Sequence, residues 1–228
     1  MMVRRWARLA VLCAGRIATA APLLAQSPTS LLDADPLAAD SLRRVLARAE
    51  AAAVPLEPLT LKVREGLAKQ APPLRIVDAT ARLAERLRLA RTALAPTTGT
   101  DEIAAGADAL YVGVQPLLLQ DLRRRFPARS LTIPLGVLTQ LVASGVSASR
   151  AGALVRELLD RGASAPQLIA LSTEVQRDVG AGLSPSVAIA LRSGGLLSTL
   201  PAASANSGGG VLPGGVTTGG GRPPTPRP

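Results

Sequence analysis

Apolar side chains recur every three or four residues along much of the chain, the spacing of one face of an α-helix. Alternating apolar and polar runs, the pattern of half-buried strands, are scarce. The longest stripe predicts a helix over residues 74–94 and consists of Ile76, Ala79, Leu83, Leu87, Ala90 and Leu94. The pattern therefore predicts an all-α fold.

Capping residues and prolines predict where the shorter helices begin and end. Asp35-Pro36 combines an N-cap residue with a proline at the first helical position, so a helix is expected from there to about residue 53. Thr100 and Ser130 are predicted N-caps, the latter with Pro134 in the first turn. The further predicted helices cover residues 57–70, 101–112, 116–126 and 131–144.

A Gly-apolar-Ser triplet occurs three times, at residues 145–147, 162–164 and 182–184. Glycine readily adopts the left-handed conformation that ends a helix, and serine is a preferred N-cap. Each triplet therefore predicts a helix end, a buried joint residue and a helix start. Gln167 completes a capping box with Ser164, and Pro185 follows Ser184 at the first helical position.

These triplets also resemble the nucleophile elbow of serine hydrolases, G-x-S-x-G, but all three lack the second glycine. A nucleophilic serine also needs a base, and the chain contains no histidine. The only lysines, Lys62 and Lys69, do not follow a serine at the spacing of a Ser–Lys pair. Helix joints are therefore the favoured interpretation.

The predicted joint residues are mostly 14–20 residues apart, a spacing typical of helical hairpins; they are Val54, Ala71, Val114, Ala128, Val146, Ala163 and Leu183. The hairpins fit either an irregular helical bundle or a short α-solenoid. The predicted segments are an export signal at 1–25, helical segments at 26–97 and 98–197, and a Gly/Pro-rich tail at 198–228 that is expected to be disordered. The tail is either a free end or a polyproline-type ligand.

Aromatic residues are nearly absent, since the chain has one Trp, one Tyr and one Phe. The core must therefore consist of Leu, Ala, Val and Ile, which is consistent with helices. The formal net charge of +10 suggests an anionic partner, but six of the 26 cations lie in the two terminal segments. The remaining 20 cations face 16 acids, and the stacking aromatics of single-strand binders are missing. No nucleic-acid partner is expected.

The first 25 residues predict a signal peptide, with a cationic start, an apolar stretch and small residues before a cleavage site near Ala25. Arg16 interrupts the apolar stretch, so a transit peptide is the alternative. Lipidation at Cys13 and a twin-arginine signal at Arg4-Arg5 fit less well. The expected location is periplasmic or secreted in a bacterium. No uncharged run is long enough to span a membrane.

Residues 26–228, which follow the predicted signal peptide, contain neither Cys nor His. The residue types of common cofactor sites are therefore missing from this part of the chain. Zinc, haem and iron–sulfur ligation of the usual kinds are therefore not expected. Asp33 and Asp35 are the only hint of a calcium loop, and the rest of an EF-hand is missing. We predict no catalytic, cofactor-binding or metal-binding residue.

The sequence favours a non-enzymatic interaction or structural module of the cell envelope. Its partner, an unidentified protein, would bind in a groove between hairpins, with Tyr111 and Phe126 as anchors if they are exposed. One alternative is a glycan-directed hydrolase, whose nearest acids in sequence are Glu50, Glu57, Glu65 and Asp78. A second alternative is binding of anionic lipid or nucleic acid through Arg123–Arg125 and the arginine face of the long helix.

Overall fold

The computed structural model describes residues 35–97 and 99–201. This part of the chain is all-helical, as predicted, and contains no strand. Its nine helices are α1 (Pro36–Ala51), α2 (Glu57–Ala68), α3 (Pro73–Ala93), α4 (Thr100–Tyr111), α5 (Pro116–Arg125), α6 (Thr132–Ala143), α7 (Ala148–Asp160), α8 (Ala165–Gly180) and α9 (Pro185–Thr199). The predicted signal peptide and residues 202–228 of the predicted tail lie outside the described residues. No described helix is both long and apolar enough to cross a membrane.

The chain divides into two compact units between Leu110 and Tyr111. The boundary predicted from the sequence lies earlier, between residues 97 and 98. The difference is α4, whose Ile103 and Ala107 are buried in the same apolar cluster as Leu59 and Leu87. These contacts include α4 in the first unit.

In the first unit, α1 and α2 both pack against the long helix α3. Gly66, which the sequence marks as a weak point of α2, lies where α2 approaches α3: a Cβ there would lie 2.7 Å from Cγ1 of Ile76. Thr80 is also buried on α3, and its hydroxyl donates to the Ile76 carbonyl oxygen at 2.8 Å. The local hydrogen bond explains how a polar side chain is accommodated in this core.

In the second unit, α6 packs against α7 and α8, and α8 packs against α9. The core is built mainly from leucine, and its fully buried members include Leu119, Leu122, Leu131, Leu135, Leu138, Leu141 and Leu158. A buried polar contact also joins two helices of this core, since Ser172 on α8 donates to Gln140 Oε1 on α6 at 2.7 Å. The near absence of aromatics is thus met by close packing of branched aliphatic side chains.

The three Gly-apolar-Ser triplets are helix joints, which confirms the prediction. Gly145, Gly162 and Gly182 have φ values of +92°, +77° and +99°. The N–H of each following residue turns back to a carbonyl five residues earlier, as from Val146 to Leu141 at 3.1 Å. This arrangement is the Schellman motif, which satisfies carbonyls that the helix end would leave unpaired.

Two further joints have the same geometry without glycine. Ala53 and Gln70, after α1 and α2, have φ values of +50° and +52°. The N–H of the buried Val54 donates to the Ala49 carbonyl oxygen at 2.9 Å, as in the glycine joints. Because neither position is a glycine, the sequence does not indicate the left-handed backbone at these two helix ends.

The serines that follow the joints occupy N-cap positions with extended backbone. The Ser164 N–H donates to Gln167 Oε1 at 2.8 Å, which confirms the predicted capping box. Ser184 Oγ accepts from the Val187 N–H at 3.4 Å, and Asp35 likewise accepts from Ala38 at 3.1 Å. Ser147 instead places its hydroxyl 3.4 Å from that of Ser149.

Several local predictions were wrong. Some helix ends differ by one or two residues, and one joint differs in burial. Thr100 is the first helical residue and not the N-cap, since the Ile103 N–H donates to the Gly99 carbonyl. Leu131 occupies the N-cap position of α6 that Ser130 was predicted to hold. Leu183, predicted to be a buried joint residue, is exposed. Helix α9 continues to Thr199, past the predicted start of the tail at residue 198.

Candidate functional site

The candidate site is an apolar groove between α8 and α9 with a volume of about 460 Å³. We call it the α8–α9 groove, and its lining residues are Gln167, Ala170, Leu171, Glu174, Leu191, Arg192, Gly195 and Leu196. The groove exists because the joint at Gly182 directs α9 back along α8, so that the two helices pack side by side. Side chains at their line of contact then form a shared furrow.

The outer side of α9 continues the apolar surface of the groove. Val187 is 55% exposed and Leu191 is 58% exposed, and Ala190 and Gly194 are also exposed. Spacings of three and four residues place these positions on one helix face. The opposite face of α9 buries Ala188 and Ile189.

Helix α9 is therefore apolar on both faces, and Arg192 is its only charged residue. A helix of this kind is ordinarily buried on all sides in a soluble protein. Contiguous apolar exposure on a folded domain marks an interaction surface. This is the strongest indication of a binding site in the part of the chain that the structure describes.

Arg192 is held at the groove wall by two acids of α8. Its guanidinium makes two hydrogen bonds to Asp178, from Nε to Oδ2 at 2.6 Å and from Nη2 to Oδ1 at 2.8 Å. Its Nη1 lies 3.0 Å from Oε2 of Glu174, which also pairs with Arg177. The hydrogen bonds from Arg192 hold the pKa of Asp178 below its usual range. The wall therefore carries charges of both signs that compensate each other locally.

A Gly-Gly pair lies on the exposed part of α9. A Cβ built at Gly194 or at Gly195 would meet no atom within 4 Å, so neither glycine is required by the packing of this chain. Glycine within a helix costs about 1 kcal/mol relative to alanine. Because glycine has no side chain, the backbone of another helix can approach α9 more closely at this pair than at any other residue type.

The cationic run Arg123–Arg125 is divided among three roles. Arg123 is only 6% exposed, and its Nη1 donates to the carbonyl oxygen of Pro127 at 2.9 Å. Arg125 pairs with Asp160 at 2.7 Å. Arg124 points into solvent with Asp121 at 3.6 Å. Arg123 thus hydrogen-bonds carbonyl oxygens of the residues that follow α5, at the negative end of the helix dipole.

A polar cleft of about 480 Å³ lies beside this run and is lined by Asp121, Arg124, Arg125 and Arg156. Arg156 also pairs with Asp121, at 2.7 Å. The cleft thus contains both signs of charge and is less cationic than the sequence alone suggests.

Other arginines donate to backbone carbonyls at helix ends far along the chain. Arg91 donates to Ala52 at 2.9 Å, Arg129 donates to Ala163, and Arg161 donates to Leu197 at 3.3 Å. Guanidinium groups at the negative ends of helices are stabilising. Part of the high arginine content is therefore structural.

The carboxylates proposed for hydrolysis are dispersed on helix surfaces. Glu65 accepts from Lys62 and Lys69, and these contacts lower its pKa to about 2. Asp78 pairs with Arg82 on the same helix, whereas Glu50 and Glu57 are exposed. A general acid needs a raised pKa, so the environment of Glu65 is opposite to what that role requires. Within the described ranges, no group of three or more possible metal-ligating side chains occurs.

The two candidate aromatic anchors differ in exposure. Tyr111, the last residue of α4, is 72% exposed, while Phe126 is half-buried at the end of α5. Tyr111 therefore meets the condition set for an anchor, and Phe126 meets it only in part. The α8–α9 groove was not predicted from the sequence, although the nearly uncharged stretch PSVAIALRSGGLLST is a sign of it.

Comparison of the chain with protein-family models, with curated proteins and with solved structures gives no match in any of the three.

Proposed function

We propose that this protein is an exported, non-enzymatic interaction module of a bacterial cell envelope and that it binds its protein partner through the α8–α9 groove. The observation that carries the proposal is the apolar character of α9 on both faces, with Val187 and Leu191 exposed beside the groove. The pattern of residues 1–25 supports export.

The chemistry of the groove suggests how a partner binds. An amphipathic helix can lay its apolar face into a groove between two helices, where its side chains anchor at intervals of three and four residues. Leu171 and Leu196 offer an apolar floor and wall, and Glu174 and Arg192 supply a polar rim. The expected partner surface is therefore an apolar helix face with few charges.

The two alternatives have weaker support. Glycan hydrolysis would need two carboxyl groups facing one cleft, but Glu65 and Asp78 are engaged with cations of their own helices. Binding of anionic lipid or nucleic acid would need free cations, and Arg123 and Arg125 are occupied by a carbonyl and by Asp160.

A crosslinked capture from envelope extract of the source organism tests the proposal. The baits are the tagged full chain, its Leu191→Glu variant and a matched Leu117→Glu variant, because Leu117 is an equally large apolar residue that is 74% exposed on α5. We expect one stoichiometric protein on the wild-type and Leu117→Glu baits and its loss from Leu191→Glu. Equal capture on all three baits would exclude the groove as the binding surface.

A further inference from the structure

We propose that the occupant of the α8–α9 groove is a second copy of this chain, with two α8–α9 hairpins associating around a two-fold axis as four helices. This inference rests on the proposed function, because it takes the groove to be the interaction surface and names its partner. It goes further in assigning the contact to self-association.

The hairpin is complementary to itself. A two-fold contact uses the same patch on both subunits, so one patch must supply both the projecting and the receiving parts. Here Leu191 and Val187 project from α9, and the groove of about 460 Å³ lies directly beside them. Leu191 also lines the groove, so one patch has both features.

The charge distribution is also the one that self-association requires. Near a two-fold axis each residue approaches its own equivalent, and a charge there would meet the same charge. The exposed face of α9 carries none: Val187, Ala190, Leu191 and Gly194 are all uncharged. Its single cation, Arg192, is bound by Asp178 and Glu174. These charges at the rim are therefore already compensated within the subunit.

The small residues on this face determine how closely two helices can approach. Packed helices lie 8–10 Å apart, depending on the side chains at the contact. Gly194 has open space where its Cβ would be, and Ala190 lies one turn before it on the same exposed face. A second α9 could cross at these positions with the two backbones close together.

The size of the surface limits the strength of association. Helices α8 and α9 have 16 and 15 residues and are about 24 Å long. Stable interfaces bury roughly 800 Å² per subunit, whereas this contact is confined to two short helices. We therefore expect a concentration-dependent dimer with a Kd on the order of micromolar.

Residues 202–228 are the competing occupant within the same molecule. They follow Pro201 directly, and 27 residues are long enough to reach the groove. However, Val211, Leu212 and Val216 are their only large apolar side chains, which leaves little surface to fill it. The second copy is the better match.

Sedimentation equilibrium of the purified full chain from about 1 to 100 μM tests the inference. We expect a monomer–dimer equilibrium, at least a tenfold weaker association for Leu191→Glu, and no change for Leu117→Glu. Circular dichroism establishes that both variants are folded. If Leu191→Glu does not fold, Gly194→Cys in a Cys13→Ser background provides the test, and a short bismaleimide should crosslink it to dimers while Leu117→Cys stays monomeric.

The alternatives give different outcomes. A wild-type chain that stays monomeric, or a dimer that Leu191→Glu leaves intact, overturns the inference. If the chain dimerises only after residues 202–228 are deleted, those residues are the occupant and the inference is also overturned. If the chain is monomeric but the envelope capture is still lost with Leu191→Glu, the partner is another protein and the proposed function stands without the second copy. If neither assay responds to Leu191→Glu, both proposals are wrong.

Discussion

Arg192 of α9 and Asp178 of α8 face each other with two nearly parallel hydrogen bonds of 2.6 and 2.8 Å. The paired geometry of a guanidinium and a carboxylate is specific as well as favourable. This contact fixes the last described helix against its neighbour and sets one wall of the α8–α9 groove. Loss of this contact would therefore affect both the stability of the protein and the geometry of the α8–α9 groove.

Asp178→Asn should lower the melting temperature at pH 7 by about 2 °C, since partly exposed ion pairs contribute little individually. The pKa of Asp178 is lowered in the folded state, so the pair stabilises the protein above the ordinary aspartate range. That contribution is lost as the pH falls through the folded pKa, where the carboxyl becomes protonated. Thermal melts of both proteins from pH 7 to about 2 should therefore converge at the acidic end.

The matched control is Asp40→Asn, because Asp40 pairs with Arg43 of its own helix on an exposed face. Its melting temperature should stay close to that of the wild type. A larger loss for Asp40→Asn than for Asp178→Asn would contradict the assignment of Asp178 as the link between α8 and α9.

Two glycines with open surroundings should respond to alanine in opposite directions. Gly162 has a φ of +77° and Gly136 lies within α6, and a Cβ at either position would meet no atom within 4 Å. Gly162→Ala should destabilise by about 1–2 kcal/mol, the cost of left-handed backbone for an L-residue. Gly136→Ala should stabilise by roughly 0.5–1 kcal/mol through helix propensity.

Urea unfolding of each variant measures both values. The Gly136→Ala protein serves as the control for Gly162→Ala, because the added methyl group is the same. If the two substitutions changed the free energy of unfolding in the same direction, the joint at Gly162 would not depend on its backbone conformation.

Gly152 allows α7 to approach α5. A Cβ at this position would lie 2.5 Å from Cδ2 and 3.3 Å from Cγ of Leu118, so the leucine side chain would have to shift. Gly152→Ala should therefore destabilise the protein by about 1–3 kcal/mol, as overpacking does.

A double-mutant cycle with Leu118→Ala tests the cause of that loss. Removing the leucine side chain gives the new methyl group room, so the double variant should be more stable than the sum of the single effects by about 1 kcal/mol or more. Strictly additive effects in chemical denaturation would show that Gly152 is required for another reason.

Arg123 and Arg124 are adjacent, but their replacement should affect the stability of the protein to very different extents. Arg123→Met should destabilise by about 1–3 kcal/mol, because the hydrogen bonds from this buried side chain to the carbonyl oxygens of Phe126 and Pro127 would be lost. Arg124→Met should change stability by less than about 0.5 kcal/mol, since that side chain is exposed. Denaturant titrations compare the two, and equal effects would refute the structural role of Arg123.

Local signals were sufficient to predict the helices and most of their joints. The φ of a residue after a helix and the N-cap hydrogen bond depend on a few adjacent residues, so Gly145, Gly162 and the Ser164–Gln167 capping box could be read directly. Ala53 and Gln70 adopt the same left-handed backbone, but neither residue type indicates it. The packing of α1 and α2 against α3 fixes where those helices end.

The tertiary structure decided which side chains remain available for binding. The sequence shows three consecutive arginines, yet only the fold directs Arg123 to a carbonyl and Arg125 to Asp160. It likewise shows a nearly uncharged α9, but not that Val187 and Leu191 stay exposed beside a groove. The sequence by itself determined the helix content and the geometry of the glycine joints, because these depend on neighbouring residues. The burial of a side chain and its ion-pair partners depend on residues distant in the chain. They are therefore decided only by how the helices pack.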